Sequence, residues 1–150
     1  MKLLKSSKIC LISLLMLISF IQFVGCKNVN HVEALEGYLQ SREELIEEVN
    51  LVSIDGFYAG TGTLNGIVHV RFQAQKGTTV TDTIDVTNKF FKIIYTDDLN
   101  NDNKNLTSMD GKVKAFKRTY SKGTTEKTHF YYEIYSSKSK IKDCGNLTSD

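Results

Sequence analysis

Few side chains in this sequence have the types and spacing that chemistry requires. Beyond residue 25 there are three His residues, at positions 31, 69 and 129, and no two are spaced like metal ligands of one element. His69 and His129 fall at strand positions that we assign to solvent, so we interpret them as unrelated surface imidazoles. No nucleophile elbow, zinc-binding helix or phosphate-cradling loop occurs, and Gly60-Thr61-Gly62 is too short to be one. An enzyme is therefore the least favoured class, and no catalytic residue is predicted.

An Asn-rich loop carries the best oxygen ligands for a cation. Asp98, Asn100 and Asp102 stand at alternate positions, and calcium prefers several oxygens from one turning loop. The spacing resembles the start of EF-hand and dockerin loops, which implies a calcium site. The resemblance ends where Asn103 replaces the turn Gly and Met109 replaces the closing carboxylate. We therefore expect an Asx-rich connection between strands and no cofactor, with calcium binding as the alternative.

The C-terminal third combines basic and aromatic residues. Between Lys112 and Lys142 nine basic residues stand against two acids and are interleaved with aromatic side chains. Such groups on one sheet suit an anionic polymer, a lipid headgroup or an acidic partner. Lysines also protect edge strands, and half of the aromatics must fill a core. The predicted contact surface consists of His69, Arg71, Lys114, Arg118 and Tyr131.

The first 25 residues have the order of an export signal. Three basic residues, Lys2, Lys5 and Lys8, precede an apolar run from Ile9 to Val24, which ends at a small residue. That run has 16 residues, whereas a transmembrane helix needs about 20. Cleavage is therefore favoured over spanning.

The end of this leader, Phe23-Val24-Gly25-Cys26, resembles the lipobox of bacterial lipoproteins. The resemblance implies that Cys26 is lipidated, becomes the new N-terminus and holds the protein on the outer face of the cytoplasmic membrane. Cys144 would then be a lone thiol in a polar tail. The alternative is a secreted protein in which Cys26 and Cys144 form a disulfide.

The elements that must position these residues begin with an acidic segment. Apolar residues recur at helical spacing from residue 32 to 49, and Ser41 to Glu44 could form a capping box. Six acids would occupy the solvated outer face of this helical stem: Glu33, Glu36, Glu43, Glu44, Glu47 and Glu48.

From about Ile54 the pattern changes to that of strands. Asn65-Gly66, between two alternating runs, predicts a tight type I′ hairpin. Four further short strands follow without crossover helices. We therefore predict a mainly β fold, an antiparallel meander of about six strands that forms a small sandwich or barrel.

These elements divide the chain into four parts: a lipoprotein signal peptide at 1–25, the lipidated Cys, joint and helical stem at 26–53, the β domain at 54–136 and a polar tail at 137–150. Residues 56–66 and 91–95 resemble small all-β extracytoplasmic segments in membrane proteins of low-GC Gram-positive bacteria and their prophages. This resemblance implies an extracytoplasmic β domain and no site.

Net charge helps to select the class of partner. The whole chain carries +2, but residues 26–150 hold 16 basic and 17 acidic residues and are nearly neutral, which gives no support for nucleic-acid binding. We therefore expect a membrane-anchored, non-catalytic interaction module whose partner is an envelope protein or an anionic envelope polymer. The alternative is a β-barrel carrier of a small ligand or calcium.

Overall fold

The computed structural model describes residues 35–98 and 106–148, and these form ten strands in two sheets. The strands in chain order are β1 Leu39–Leu51, β2 Ala59–Leu64, β3 Ile67–Phe72, β4 Ala74–Lys76, β5 Thr79–Val80, β6 Ile84–Thr87, β7 Phe91–Tyr95, β8 Lys112–Lys122, β9 Thr125–Ser136 and β10 Ile141–Asn146. Short 3-10 turns cover Leu106–Met109 and Lys138–Lys140, and no α-helix occurs among the described residues. The predicted mainly β class is confirmed.

The two sheets have different sizes. One has six strands in the order β5-β4-β1-β8-β9-β7, and the other has four in the order β10-β2-β3-β6. Most neighbours are antiparallel, but β7 pairs with β9 and β10 pairs with β2 in parallel. The meander is thus interrupted, and part of the predicted polar tail at 137–150 is the edge strand β10.

The predicted helical stem is wrong over residues 39–51, which form β1. This strand pairs with β8 along nearly its whole length, from Leu39 opposite Ser121 to Asn50 opposite Lys112. Register shifts at Gln40/Arg42 and at Leu45/Glu47 break the strict alternation of a strand. These bulges hide the period of two in the sequence, and pairing with a distant strand overrides the local helical pattern.

The predicted hairpin at Asn65-Gly66 is confirmed. Both turn residues have positive φ, 52° and 77°, and Leu64 lies opposite Ile67, as a type I′ turn requires. The second arm ends as β3 at Phe72. The chain then crosses to the other sheet as β4.

The core lies between the two sheets. Val70 of β3, Val113 of β8 and Ile134 of β9 are essentially inaccessible to solvent, and each such side chain stabilises the fold by about 1.5–3 kcal/mol. Phe72 and Tyr132 meet edge to face across the layers, with ring centroids 5.5 Å apart. Side chains from both sheets fill this space and hold the sheets together.

Among residues 35–98 and 106–148, no helix is long and apolar enough to cross a membrane. The leader and Cys26 lie outside the described residues.

Candidate interaction surface

Three of the five predicted contact residues share one face of the six-stranded sheet. Val113 and Ile134 point from β8 and β9 into the core, so the even-numbered residues of β8 and the odd-numbered residues of β9 point to the opposite, outer face. Lys114, Arg118 and Tyr131 therefore lie together on this outer face. His69 and Arg71 lie on β3, in the other sheet.

An apolar row crosses the outer face over three adjacent strands. Leu45 of β1 lies opposite Phe116 of β8, which lies opposite Tyr131 of β9. Leu45 is 52% exposed, whereas Phe116 and Tyr131 are partly buried. One exposed aliphatic side chain and two aromatic rings thus lie side by side across the three strands. We call these three residues the apolar row.

Charged residues flank the apolar row on both sides. On one side Glu43, Arg118 and His129 are aligned across the same strands, and on the other side Glu48, Lys114 and Glu133 are aligned. The surface therefore has an apolar centre between two charged borders.

Arg118 connects one border to the row. Its guanidinium carbon lies 3.2 Å from the centroid of the Tyr131 ring, and its Nε donates a hydrogen bond to Glu43. Burial opposes the charge of Arg118, but the hydrogen bond and charge of Glu43 outweigh it and raise the Arg118 pKa. Burial also raises the pKa of Tyr131, against the charge of Arg118. Both effects keep a cation stacked on a neutral ring.

Acids of β1 pair with three basic residues of β8, Lys112, Lys114 and Arg118. Lys112 Nζ lies 2.9 Å from Glu48, and Lys114 Nζ lies 3.8 Å from the same carboxylate. The hydrogen bond from Lys112 is the main cause that lowers the Glu48 pKa. Acids that we expected on a solvated helix therefore lie beside the basic residues of β8. This charge complementarity suits strand pairing and leaves less charge for an anionic polymer.

His129 belongs to an aromatic cluster on the same face. Its ring stacks on Phe90 at 4.8 Å and meets Tyr120 edge to face at 6.0 Å. At the adjacent end of the sheet, Lys122 and Lys127 both lie over the Tyr38 ring. His129 is partly buried and lies in a different sheet from His69.

His69 was predicted to face solvent but is buried, with 6% exposed. Its Nδ1 lies 2.6 Å from Asp85 Oδ1, and Arg71 Nε donates to the other carboxylate oxygen at 2.8 Å. Arg71 also donates to the carbonyl of Thr148 at 3.0 Å. The cover comes from residues distant in sequence: Leu147 lies over Gly62, which is the β2 residue opposite His69. The alternation of apolar and polar residues within β3 therefore could not predict that His69 is buried.

The acids around the Asn-rich loop have structural roles. Asp97 accepts hydrogen bonds from the Lys138 amide at 3.0 and 3.1 Å. Asp110 accepts one from Thr96 Oγ1 at 2.9 Å and another from the Ser137 amide. These contacts attach both ends of the loop to the turn after β9.

The candidate cation ligands are only partly described. Asp98 is exposed, and Asn100 and Asp102 lie outside the described residues. Within residues 35–98 and 106–148, no group of three His, Cys, Asp or Glu side chains could hold a metal. Cys144, which was the other half of the alternative disulfide, has an exposed free thiol.

A shallow depression of about 250 Å³ lies beside the apolar row, between β1 and the β4–β5 turn. Four of its eight lining residues are charged and form two ion pairs, in which Lys76 Nζ lies 2.9 Å from Glu47 and Lys112 Nζ lies 2.9 Å from Glu48.

The described residues thus define a mainly β domain of two packed sheets, with the apolar row as an exposed feature. Comparison of the chain with protein-family models, curated proteins and solved structures finds no match. The apolar row and its charged borders are therefore the basis for assigning a function.

Proposed function

We propose that this protein is a bacterial lipoprotein, anchored through Cys26 to the outer face of the cytoplasmic membrane, whose β domain is a non-catalytic binding module. The leader supports the anchor, because a basic start and a short apolar run end at Phe23-Val24-Gly25-Cys26. The binding function rests on the outer face of the six-stranded sheet.

The observation that carries the binding proposal is the apolar row between its charged borders. Stable interfaces commonly have a desolvated apolar centre and a polar rim, and Tyr and Arg often contribute most of the binding energy. Here Leu45, Phe116 and Tyr131 would form the centre, and Arg118 is stacked on Tyr131. Its planar, pre-positioned side chain would lose little conformational freedom when a partner covers it.

A protein partner fits this face better than an anionic polymer does. A polyanion would have to compete with Glu43 for Arg118 and with Glu48 for Lys112 and Lys114. A protein surface can instead cover the apolar row and leave those pairs in the rim, where ion pairs set specificity. We therefore propose another envelope protein as the partner.

The test of the binding proposal is crosslinking in intact cells followed by affinity recovery of the tagged full-length protein. Leu45→Lys places a charge in the centre of the row, and we expect it to reduce recovery of a specific partner at least tenfold. Ile54→Lys is the matched control, because Ile54 is 50% exposed and lies beyond the end of β1, where it bridges Phe57. Equal recovery with both variants, or no specific partner with the wild type, would refute the proposal.

The anchor has its own test, which does not depend on the partner. The intact mass of the protein from the membrane fraction should correspond to a chain that starts at an acylated Cys26. Cys26→Ala should stop maturation and release or mislocalise the protein. An unmodified N-terminus at Lys27, or an intact leader, would contradict lipidation.

A further inference from the structure

Two glycines in β2 make room for the C-terminal segment, which we define as residues 141–148. A Cβ atom at Gly62 would lie 2.6 Å from the Gly145 carbonyl oxygen and 2.8 Å from Leu147 Cγ, and one at Gly60 would lie 2.9 Å from Cys144 Sγ. Glycine weakens the interior of a strand, and its presence there often marks a place where another part of the chain approaches closely. The alternate glycines of β2 therefore form the floor on which Cys144 and Leu147 lie.

Polar contacts fix the same segment in one register. Ile141, Lys142 and Asp143 pair in parallel with β2. Further along, Thr63 Oγ1 donates to Asn146 Oδ1 at 3.0 Å, and the Leu147 amide donates to the Thr63 carbonyl at 2.8 Å. Backbone pairing thus supplies affinity and two side-chain features supply specificity, as in other sites that accept an added strand.

Arg71 completes this site at its far end. It donates to the Thr148 carbonyl at 3.0 Å while Asp85 holds its Nε at 2.8 Å. Asp85 belongs to β6 and not to the segment, so this ion pair holds the Arg71 side chain independently of residues 141–148. The edge of β2 and Arg71 together constitute a formed site for an extended peptide.

The segment that occupies this site buries little apolar surface. Of residues 141–148, only Ile141 and Leu147 are partly buried and the other six are exposed, and of these two only Ile141 packs against the core cluster. Elements with few buried apolar contacts open at low free-energy cost. The short turn Lys138–Lys140 joins the segment to β9 and is exposed or partly buried throughout.

We propose that the edge of β2 is a strand-exchange site, at which the C-terminal segment of a second copy of this chain replaces the chain's own. The second copy is the occupant because the site is seen to accept this sequence, with glycines opposite Cys144 and Leu147 and a hydrogen bond to Asn146. Exchange of identical segments preserves every contact in the site. This inference does not depend on the lipid anchor or on the apolar row.

The test uses two full-length variants that cannot crosslink through this site unless segments are exchanged. One carries Thr63→Cys and the other Asn146→Cys, both with Cys144→Ser to remove the native thiol of the C-terminal segment. Residues 63 and 146 are register partners, and neighbouring strands lie about 4.8 Å apart, within the Cα separation of about 4.4–6.8 Å of a disulfide. After mixing and mild oxidation, we expect a mixed disulfide dimer that increases with protein concentration.

Two controls make each result decisive. A mixture of Thr63→Cys with Ile54→Cys, both with Cys144→Ser, measures crosslinks formed by collision of exposed cysteines, because Ile54 is exposed and bridges Phe57 and not the C-terminal segment. The mixed dimer of the Thr63→Cys and Asn146→Cys chains should exceed this background at least tenfold. A single chain with both Thr63→Cys and Asn146→Cys should close internally when dilute. Internal closure without mixed dimer at high concentration would overturn the exchange proposal, and so would a chain that fails to close at all.

Discussion

Gly62→Ala should lower the stability of the fold, whereas Gly60→Ala should not. Both residues lie in β2, two positions apart on the same face, and both approach the C-terminal segment. At Gly62 the new methyl meets a backbone carbonyl at 2.6 Å and the branched carbon of Leu147 at 2.8 Å. At Gly60 it meets only the sulfur of Cys144 within 3 Å, which can move by side-chain rotation.

The sizes of the two effects follow from these contacts. Favourable contacts to carbon lie at about 3.5–4.0 Å, so the backbone at Gly145 must move about 1 Å when residue 62 is Ala. That movement breaks the hydrogen bonds of Asn146 and Leu147 to Thr63, at about 0.5–1.5 kcal/mol each. Ala in a strand regains about 0.5–1 kcal/mol over Gly. We expect Gly62→Ala to lower the free energy of unfolding by about 1–2 kcal/mol and Gly60→Ala to leave it unchanged or raise it slightly.

Urea denaturation and amide hydrogen exchange would measure both consequences. The urea midpoint should fall for Gly62→Ala only, and the amide of Leu147 should lose protection in that variant while Val70 in the core keeps its own. Equal effects of the two substitutions, or a loss of stability without a change in the C-terminal segment, would refute the close-approach reasoning.

Three further predictions concern the outer face and the loop. Glu43→Gln and Arg118→Gln should show a coupling free energy of about 0.5–1 kcal/mol in a double-mutant cycle, as expected for a partly exposed pair; additive effects would contradict the pairing. The Glu48 pKa is lowered from 4.5, so its stabilising effect is complete above that pH and is lost as the pH falls below it. As the pH falls below 4.5, wild type should therefore lose stability more steeply than Glu48→Gln does, and parallel urea-midpoint curves would contradict this. Asp110→Ala should cost about 2–3 kcal/mol, because it leaves the Ser137 amide and Thr96 without their acceptor; a change below about 0.5 kcal/mol in urea denaturation would contradict that role.

Local sequence signals predicted the features that local geometry determines. The hairpin was predictable because Asn65-Gly66 tolerates positive φ at both turn positions. The alternating runs on both sides of this turn likewise form paired strands, β2 and β3. The β class of the chain follows from such signals.

Features that depend on distant pairing were not predictable in this way. β1 has a helical spacing of apolar residues because two bulges interrupt its alternation, and it becomes a strand only beside β8. The acidic run at 43–48 and the basic residues at 112–118 do contain a signal, since opposite charges in two segments favour pairing. The same complementarity explains why Lys112, Lys114 and Arg118 are paired with acids of β1.

The candidate surface was predicted only in part. Lys114, Arg118 and Tyr131 were grouped from their basic and aromatic character, and the β8–β9 register places them on one face. Leu45 was missed because its place in the row depends on the β1–β8 register across a bulge. His69 was misplaced because the segment that covers its face lies far along the chain.

The central claim is that the apolar row binds a specific envelope protein. The most direct measurement places a photo-crosslinking amino acid at position 45 in the lipidated protein in living cells, with position 54 as the control of equal exposure. The proposal predicts one crosslinked protein adduct of discrete mass from position 45 and none from position 54. No adduct from position 45, or the same adducts from both positions, would contradict it.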